Sequence, residues 1–451
     1  MITRAGAVTA LAGREPAKTF QERNAPMNDV RKVDTADAAA RVAVDEAVLA
    51  SLRGTFAVGG CIIDNGTGTV VKTMHNEVLR THPDSDAGFL LHDPTAHGER
   101  QLVDWYFANR RPLHLPDPSQ LTVVTSLDPC AMCAGALLTA GFNVGVSAID
   151  TYAGINYDER CEFPTLPADV QRRAKETFGY YAVTAPCRRA HRGGTLTVFA
   201  DQAIAADTLE LSQLVFAGSV NNVRTSDNES GRAPADMRDP VHLPSDDPIR
   251  LALQTLYPDT LTTRSAHPRF PGPELLPHLT AVADQAANRG SARNAVALLD
   301  PFGNLLSCTG GAEARSPIRT AFLESTRDYA QLRWNLMNDS DRSVRDTAAA
   351  TLTHAKYCTF VHLVAPDPSR AAGVMTFGAY GSTMEGAVPQ AFPSSFQYIR
   401  TPAGVTDFDI ASLAARMPPF YCQDVELAPM RVLNPELAAQ GASTAPGRVG
   451  H

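Results

Sequence analysis

A three-layer α/β/α architecture, built twice along the chain, is the fold class that this sequence predicts. Three observations lead to it. Between Phe56 and Val215, short runs with strand character alternate with runs of helical period, the pattern of a sheet covered by helices. From residue 219 to 247 the composition shifts to Asn, Ser, Asp, Gly, Pro and Arg, as a linker's would. Beyond that break the same order of elements begins again, the mark of an internal repeat.

The elements follow in order. Asp34 to Arg53 places Ala, Val and Leu at helical spacing. Phe56 to Ile63 reads as a buried strand, Asp64-Asn65-Gly66-Thr67-Gly68 as a turn, and Thr69 to Met74 as the returning strand of a hairpin. His75-Asn76 closes it, and an extended loop from Glu77 to Leu91 leads on to Pro94. His97 to Asn109 has helical periodicity, with Leu102, Val103, Tyr106 and Phe107 on one face. Leu121 to Leu127 is a strand that ends at Asp128-Pro129, and a helix starts at the cysteines just after it. Asn143 to Ile149 is a further strand, followed by the loop Asp150 to Asn156. A helix over Ala168 to Thr177, a strand over Thr195 to Phe199 and a helix from Ala203 to Val215 complete the unit.

In the second half, Asn294 to Asn304 repeats the strand and turn that begin at Phe56. Ser316 to Phe322 lies where Asp93 to Glu99 lay, Val361 to Pro368 repeats the strand into Asp128-Pro129, and Ile399 to Val405 echoes Ile149 to Ile155. On this alignment His97 becomes Thr320, Glu99 becomes Phe322, Cys130 becomes Ser369 and Cys133 becomes Ala372. The expected organisation is a disordered leader over 1–32, a first domain over 33–218, a linker over 219–247, a second domain without the chemical residues over 248–430, and a tail over 431–451.

Size supports two domains, since 451 residues exceed one ordinary core. No run approaches the ~18 consecutive apolar residues of a membrane span, and Ala5 to Gly13 is a poor signal-peptide core, so no secretory signal is expected. Eight cysteines in so long a chain do not form a disulfide framework, and the one close pair is Cys130 with Cys133. A thiolate site is easier to keep in a reducing compartment, so a cytoplasmic location is expected. The net charge of −8 argues against long nucleic-acid partners, whose binding leans on Lys and Arg. Local basic groups nonetheless stand at Arg172-Arg173-Ala174-Lys175 and at Arg188-Arg189-Ala190-His191-Arg192.

The chemistry concentrates between Pro94 and Gly135. His97-Gly98-Glu99 is followed some thirty residues later by Pro129-Cys130-Ala131-Met132-Cys133. One histidine and two thiolates give a zinc ion three protein ligands and leave the fourth tetrahedral position open, which distinguishes a catalytic zinc from a closed structural one. Glu99 is then left over to carry protons. A Cys-x-x-Cys at the first turn of a helix points both sulfurs past its N-terminal end, where free N–H groups and the dipole favour thiolates. A closed site would need a fourth ligand; His92, His75 and Cys161 are the candidates, none at a convincing spacing.

These two motifs form the His-x-Glu…Pro-Cys-x-x-Cys signature of zinc deaminases. The run Asp93 to Glu99, together with Pro129 to Ala136, resembles bacterial tRNA adenosine deaminase, whereas Gly98 between His97 and Glu99 is similar to fungal cytosine deaminase. Both belong to the cytidine-deaminase-like superfamily, and the resemblance covers roughly residues 56–215. It implies a mixed sheet whose fourth and fifth strands run parallel, and a Zn2+ ion held by His97, Cys130 and Cys133 with Glu99 as proton shuttle. It also implies that His97 and Glu99 converge from a helix start, and that Asn76 contacts the substrate. Tyr152 and Asp158 follow as further pocket residues. The activity implied is hydrolytic removal of the exocyclic amine of a nucleobase, nucleoside or related small heterocycle; the alternative is a cytosine or adenine within RNA or DNA. Members of the superfamily commonly pair, so the second half is expected to act as a built-in partner of the first, and pairing between copies of the chain stays open.

Overall fold

The computed structural model describes residues 31–81, 89–157, 160–181, 202–225, 234–268, 270–381, 395–418 and 431–432. Among them the first sheet has five strands. β1 (Gly59–Asp64) pairs antiparallel with β2 (Val70–His75) on one side and with β5 (Leu121–Thr125) on the other. From β5 the sheet turns parallel, through β6 (Asn143–Val146) to β7 (Phe178–Tyr180). The order is β2-β1-β5-β6-β7.

Strand alternation sets the layers, because neighbouring side chains point to opposite faces. Cys61, Ile63 and Val124 pack with α1 (Ala36–Leu52) on one face. Ile62 and Val123 point the other way, into a core shared with α2 (Gly98–Asn109) and α3 (Ala131–Ala140). α1 starts where Thr35 accepts a hydrogen bond from the Ala38 amide, an ordinary N-cap. Beside it lies α5 (Ala206–Thr225), tied on by Asp37, which accepts from the Ala205 amide and the Thr208 hydroxyl. α4 (Ala168–Thr177) has the bounds expected from the sequence.

Four local features differ from expectation. The loop from Glu77 to Leu91 carries a small hairpin, β3 (Leu79–Thr81) with β4 (Phe89–Leu91). The fifth strand of the sheet is β7, at residues 178–180; the strand expected over 195–199 lies outside the described residues. α5 runs on to Thr225, so the compositional change at 219 does not end that helix. Cys161, a candidate fourth ligand by sequence, is disulfide-bonded.

The second half repeats the arrangement. α6 (Pro248–Leu256) and α7 (Leu276–Asn288) precede the hairpin β8 (Ala295–Leu299) and β9 (Leu305–Gly310). α8 (Ala321–Met337) and α9 (Arg342–Thr351) lead to β10 (Thr359–Val364), antiparallel to β8. α10 (Ala371–Gly381) leads to β11 (Ser395–Arg400), parallel to β10, and α11 (Asp407–Ala414) precedes β12 (Arg431–Val432), parallel to β11. The order β9-β8-β10-β11-β12 has the same sequence of antiparallel and parallel pairings as the first sheet. β12 falls just past the boundary expected at residue 430. Thr320 is the N-cap of α8 as His97 is of α2, and Phe322 sits in its first turn.

The halves meet helix to helix. One continuous core takes in Met132, Ala136 and Leu137 of α3, Val374 and Met375 of α10, and residues from the inner faces of both sheets. α3 is therefore apolar on all sides, as a fully enclosed helix must be. The two backbones come unusually close. A Cβ placed on Gly378 would lie 2.0 Å from the Met132 amide nitrogen, and one on Gly135 would lie 2.6 Å from the Ala371 carbonyl oxygen. The β3–β4 hairpin supplies a second contact, packing Leu79 and Leu91 against Ala330 of α8, while Gln331 donates to Asp93.

Candidate metal centre

The two motifs arrive at one point from two helix starts. His97 is the N-cap of α2 in an extended conformation, with φ −73° and ψ 145°. Its side chain therefore leaves the chain before the helical spiral begins, and Glu99 in the first turn can lie beside it. Residues two apart inside a helix could not do this. Cys130 is likewise the extended N-cap of α3, with Cys133 in its first turn. β5 ends just before these cysteines, so the C-terminal end of the central strand delivers them to α2.

The ligand atoms of His97, Cys130 and Cys133 all lie within 4.8 Å of one another. His97 Nδ1 is 3.6 Å from Cys130 Sγ. A tetrahedral ion with sulfur at about 2.3 Å and nitrogen at about 2.0 Å would separate such ligands by roughly 3.5–3.8 Å, so the donor set and its spacing fit zinc. His97 and Cys130 are half-buried while Cys133 is buried, leaving the open side toward the first two. Among the described residues this is the one His/Cys/acid group that could hold a metal.

Glu99 is 2% exposed. Its Oε1 accepts from the Thr125 hydroxyl at 3.1 Å, and its Oε2 lies 3.5 Å from Cys133 Sγ. Burial raises its pKa, against the opposing pull of His97. For His97, burial acts to lower the pKa, but the charge on Cys130 and the contact with it prevail and raise it. The cysteines divide. The contact from Cys133 is the main cause that holds the Cys130 thiol well below its usual range, whereas burial pushes Cys133 well above. Of the two sulfurs, Cys130, the one beside His97, is the one whose surroundings favour the thiolate.

Asn76 is buried, and its Oδ1 accepts from the Gly98 amide at 2.7 Å. That contact with Gly98 fixes the Asn76 side chain beside His97. Tyr152 is half-buried against the core, its amide held by Asp150 Oδ1 at 2.8 Å. Asp158 lies outside the described residues. Neither His75 nor His92 joins the cluster: His75 binds Glu46 and Arg53, and His92 stacks edge-on to Trp334.

The support beneath the cysteines was not visible in the sequence. Asp128 accepts from the Tyr180 hydroxyl at 2.7 Å and from the Asn156 amide at 2.8 Å, and Asn156 also donates to that hydroxyl. Burial raises the Asp128 pKa well above the carboxylate range despite these bonds. The loop 150–156 is pinned there, and Gly154 bridges to Cys130. A Cβ on Gly154 would meet Asp128 Oδ2 at 2.6 Å, so only glycine lets the loop lie this close.

Residues 34–148 match the family described as the cytidine and deoxycytidylate deaminase zinc-binding region. This stretch belongs to the cytidine-deaminase-like superfamily. The deaminase region is also similar to the cytosine deaminase of Candida albicans, at 31% identity over 102 residues, which is 23% of this chain. The chain spans 58% of the length of that relative. Two solved structures share the likeness at low overlap. A tRNA:A34 deaminase, active at the wobble position of transfer RNA, is 21% identical with a TM-score of 0.20, covering 26% of this chain and 78% of its own. The guanine deaminase of Nitrosomonas europaea is 14% identical with a TM-score of 0.27, covering 42% and 89%. Zinc is the metal of the deaminase region, and His97, Cys130 and Cys133 are the residues here that suit it.

Proposed function

We propose that this protein is a zinc-dependent hydrolytic deaminase that removes the exocyclic amine of a nucleobase, nucleoside or related small heterocycle as ammonia. The observation that carries this reading is the buried Glu99 set against the His97, Cys130 and Cys133 group. Bound there, zinc supplies a Lewis acid that acidifies water. His97 and the two cysteines hold the ion. Glu99 accepts the proton that water gives up as it adds to the amine-bearing carbon, and passes it to the ring nitrogen. It then takes the remaining proton from the newly added hydroxyl and gives it to the departing amine, so that the C–N bond breaks, the carbonyl forms and ammonia leaves. Thr125 keeps one carboxylate oxygen in place, and the other lies beside Cys133 Sγ, where a zinc ion held by these residues would be within its reach. The Asn76 side chain orients the ring, and Tyr152 borders the pocket.

Charge supports a small substrate over a polynucleotide. The formal net charge of the chain is −8, whereas polynucleotide binding leans on Lys and Arg. The test is ammonia release from a panel of bases, nucleosides, nucleotides and pterins. Glu99→Gln is expected to lower turnover by about 10²–10⁴-fold while retaining about one zinc per chain. Full turnover by Glu99→Gln would end the mechanism.

The second half, on this reading, is a duplicated deaminase scaffold without zinc ligands that serves as the partner of the first. The matching strand order and the α3–α10 contact support it. Residues 1–220 expressed alone are expected to aggregate or to lose activity. A well-behaved, fully active monomer of that length would remove the argument.

A further inference from the structure

The turn that leads into His97 is held from the other half of the chain. Asp93 Oδ1 accepts from the Thr95 amide at 2.8 Å and from the Thr95 hydroxyl at 2.7 Å, which closes an Asx turn two residues before His97. Arg100, in the first turn of α2, reaches back from Nη1 to the Thr95 carbonyl oxygen at 3.2 Å and to its hydroxyl at 3.0 Å. The Ala96 carbonyl oxygen accepts from the Glu77 amide at 2.8 Å and from the Gln101 side chain at 3.0 Å. Asp93, Thr95 and Arg100 are all buried. One oxygen of Asp93 therefore serves the turn itself. The other, Oδ2, accepts from Gln331 Nε2 of α8 at 3.3 Å.

The same side of α8 grips the residues that precede the turn. Ala330 packs against Leu79 and Leu91. The Trp334 ring meets the His92 ring edge-on, with centroids 5.2 Å apart, and the Arg80 guanidinium lies 5.9 Å from its centre. Residues 330, 331 and 334 share one side of a helix. These apolar and ring contacts press the segment onto α8, and Gln331 adds the directional bond. Arg327, one turn earlier, is taken up by Glu324 and Asp328. The link runs one way. Where Thr320 matches His97, Gln331 matches Ala108, whose methyl group can make no such bond.

We propose that Gln331 is a positioning residue for the zinc site, acting through Asp93 and the 93–96 turn to set where His97 leaves the chain. The inference rests on the reading that His97, Cys130 and Cys133 hold zinc, and not on the reaction the ion serves. Both sulfurs come from α3, so a shift in the lead-in to α2 moves the histidine relative to them. The half without ligands thereby sets how well the other half holds its metal.

Gln331→Met tests this, because methionine keeps the length and helix preference of glutamine and removes its amide. Zinc affinity of the full-length protein, measured by competition with a chromophoric chelator, is expected to fall about fivefold, the size of one ordinary hydrogen bond. The cobalt(II)-loaded protein reports ligand geometry separately. Its visible absorption bands should shift in Gln331→Met, which a loss of stability alone would not cause. In an Asp93→Ala background the same substitution is expected to change neither readout, since the link it removes is already gone. Parental affinity or an unshifted spectrum in Gln331→Met, or an equal loss in both backgrounds, overturns the inference while the zinc reading stands. A parent chain that takes up no zinc ends that reading, and the inference with it.

Discussion

The contact between α3 and α10 makes a sharp quantitative demand on residue 378. Alanine there would put its Cβ 2.0 Å from the Met132 amide nitrogen and 2.4 Å from the Met132 Cβ. An unstrained contact is about 3.5 Å, so the helices must part by roughly 1.5 Å. The obstacle is the backbone of a helix enclosed on every side, which cannot turn away as a side-chain tip could. Overpacking costs about 1–3 kcal/mol, and Gly378→Ala belongs at the upper end, near 3 kcal/mol. Function follows from where the strain falls. Met132 lies between Cys130 and Cys133, so moving it shifts both sulfurs relative to His97 on α2. A displacement of about 1 Å at a reacting centre can cost roughly 10²-fold in rate. Urea unfolding should show the loss of stability, and zinc retention during dialysis should show the displaced ligands. Gly218→Ala is the control. It lies within α5, and nothing stands within 4 Å of its added Cβ, so alanine should stabilise by up to about 1 kcal/mol. Parental stability and zinc affinity in Gly378→Ala would refute the claim that the two helices are locked together.

Two other perturbations probe buried polar groups. Tyr180→Phe removes the hydroxyl shared by Asp128 and Asn156 and is expected to cost about 2–3 kcal/mol in urea unfolding, because two buried groups lose a partner; a change below about 0.5 kcal/mol would show that water or rearrangement replaces it. Burial raises the Asp300 pKa to about 7, so the folded state keeps a proton that the unfolded chain, with a pKa near 3.9, releases. The stability tied to that group is full below about pH 4 and is lost as pH rises through about 7. Asp300→Asn should flatten this decline, seen as a narrowing gap between urea midpoints at pH 5 and pH 7; parallel profiles for both proteins would contradict it.

Much of the site was legible because its chemistry is local. His97, Glu99, Cys130 and Cys133 each sit within two or three residues of a helix start, and the sequence marks those starts with Pro94, Pro129 and the apolar spacing that follows. α4 was legible for a similar reason, with Val170 and Ala174 on its buried side and charges elsewhere. β7 was not, since Phe178-Gly179-Tyr180 is too short to display a period and gains its place from β6. Thr125 looked like one more strand residue, and its bond to Glu99 depends on a contact 26 residues away in the chain. Asp128, Asn156 and Tyr180 are ordinary polar residues until folding gathers them under the cysteines. The close approach of Gly135 to α10 was hidden as well. A run of small residues in α3 signals that something comes near, but not which element.

Carrying both sides of the α3–α10 contact on one polypeptide changes how the assembly responds to dilution. Two separate subunits meet at a rate set by their concentration and come apart as they grow scarce. Here the partner is always present, at an effective concentration on the order of millimolar. A chain organised this way should keep its α3–α10 contact at nanomolar levels, whatever the dilution.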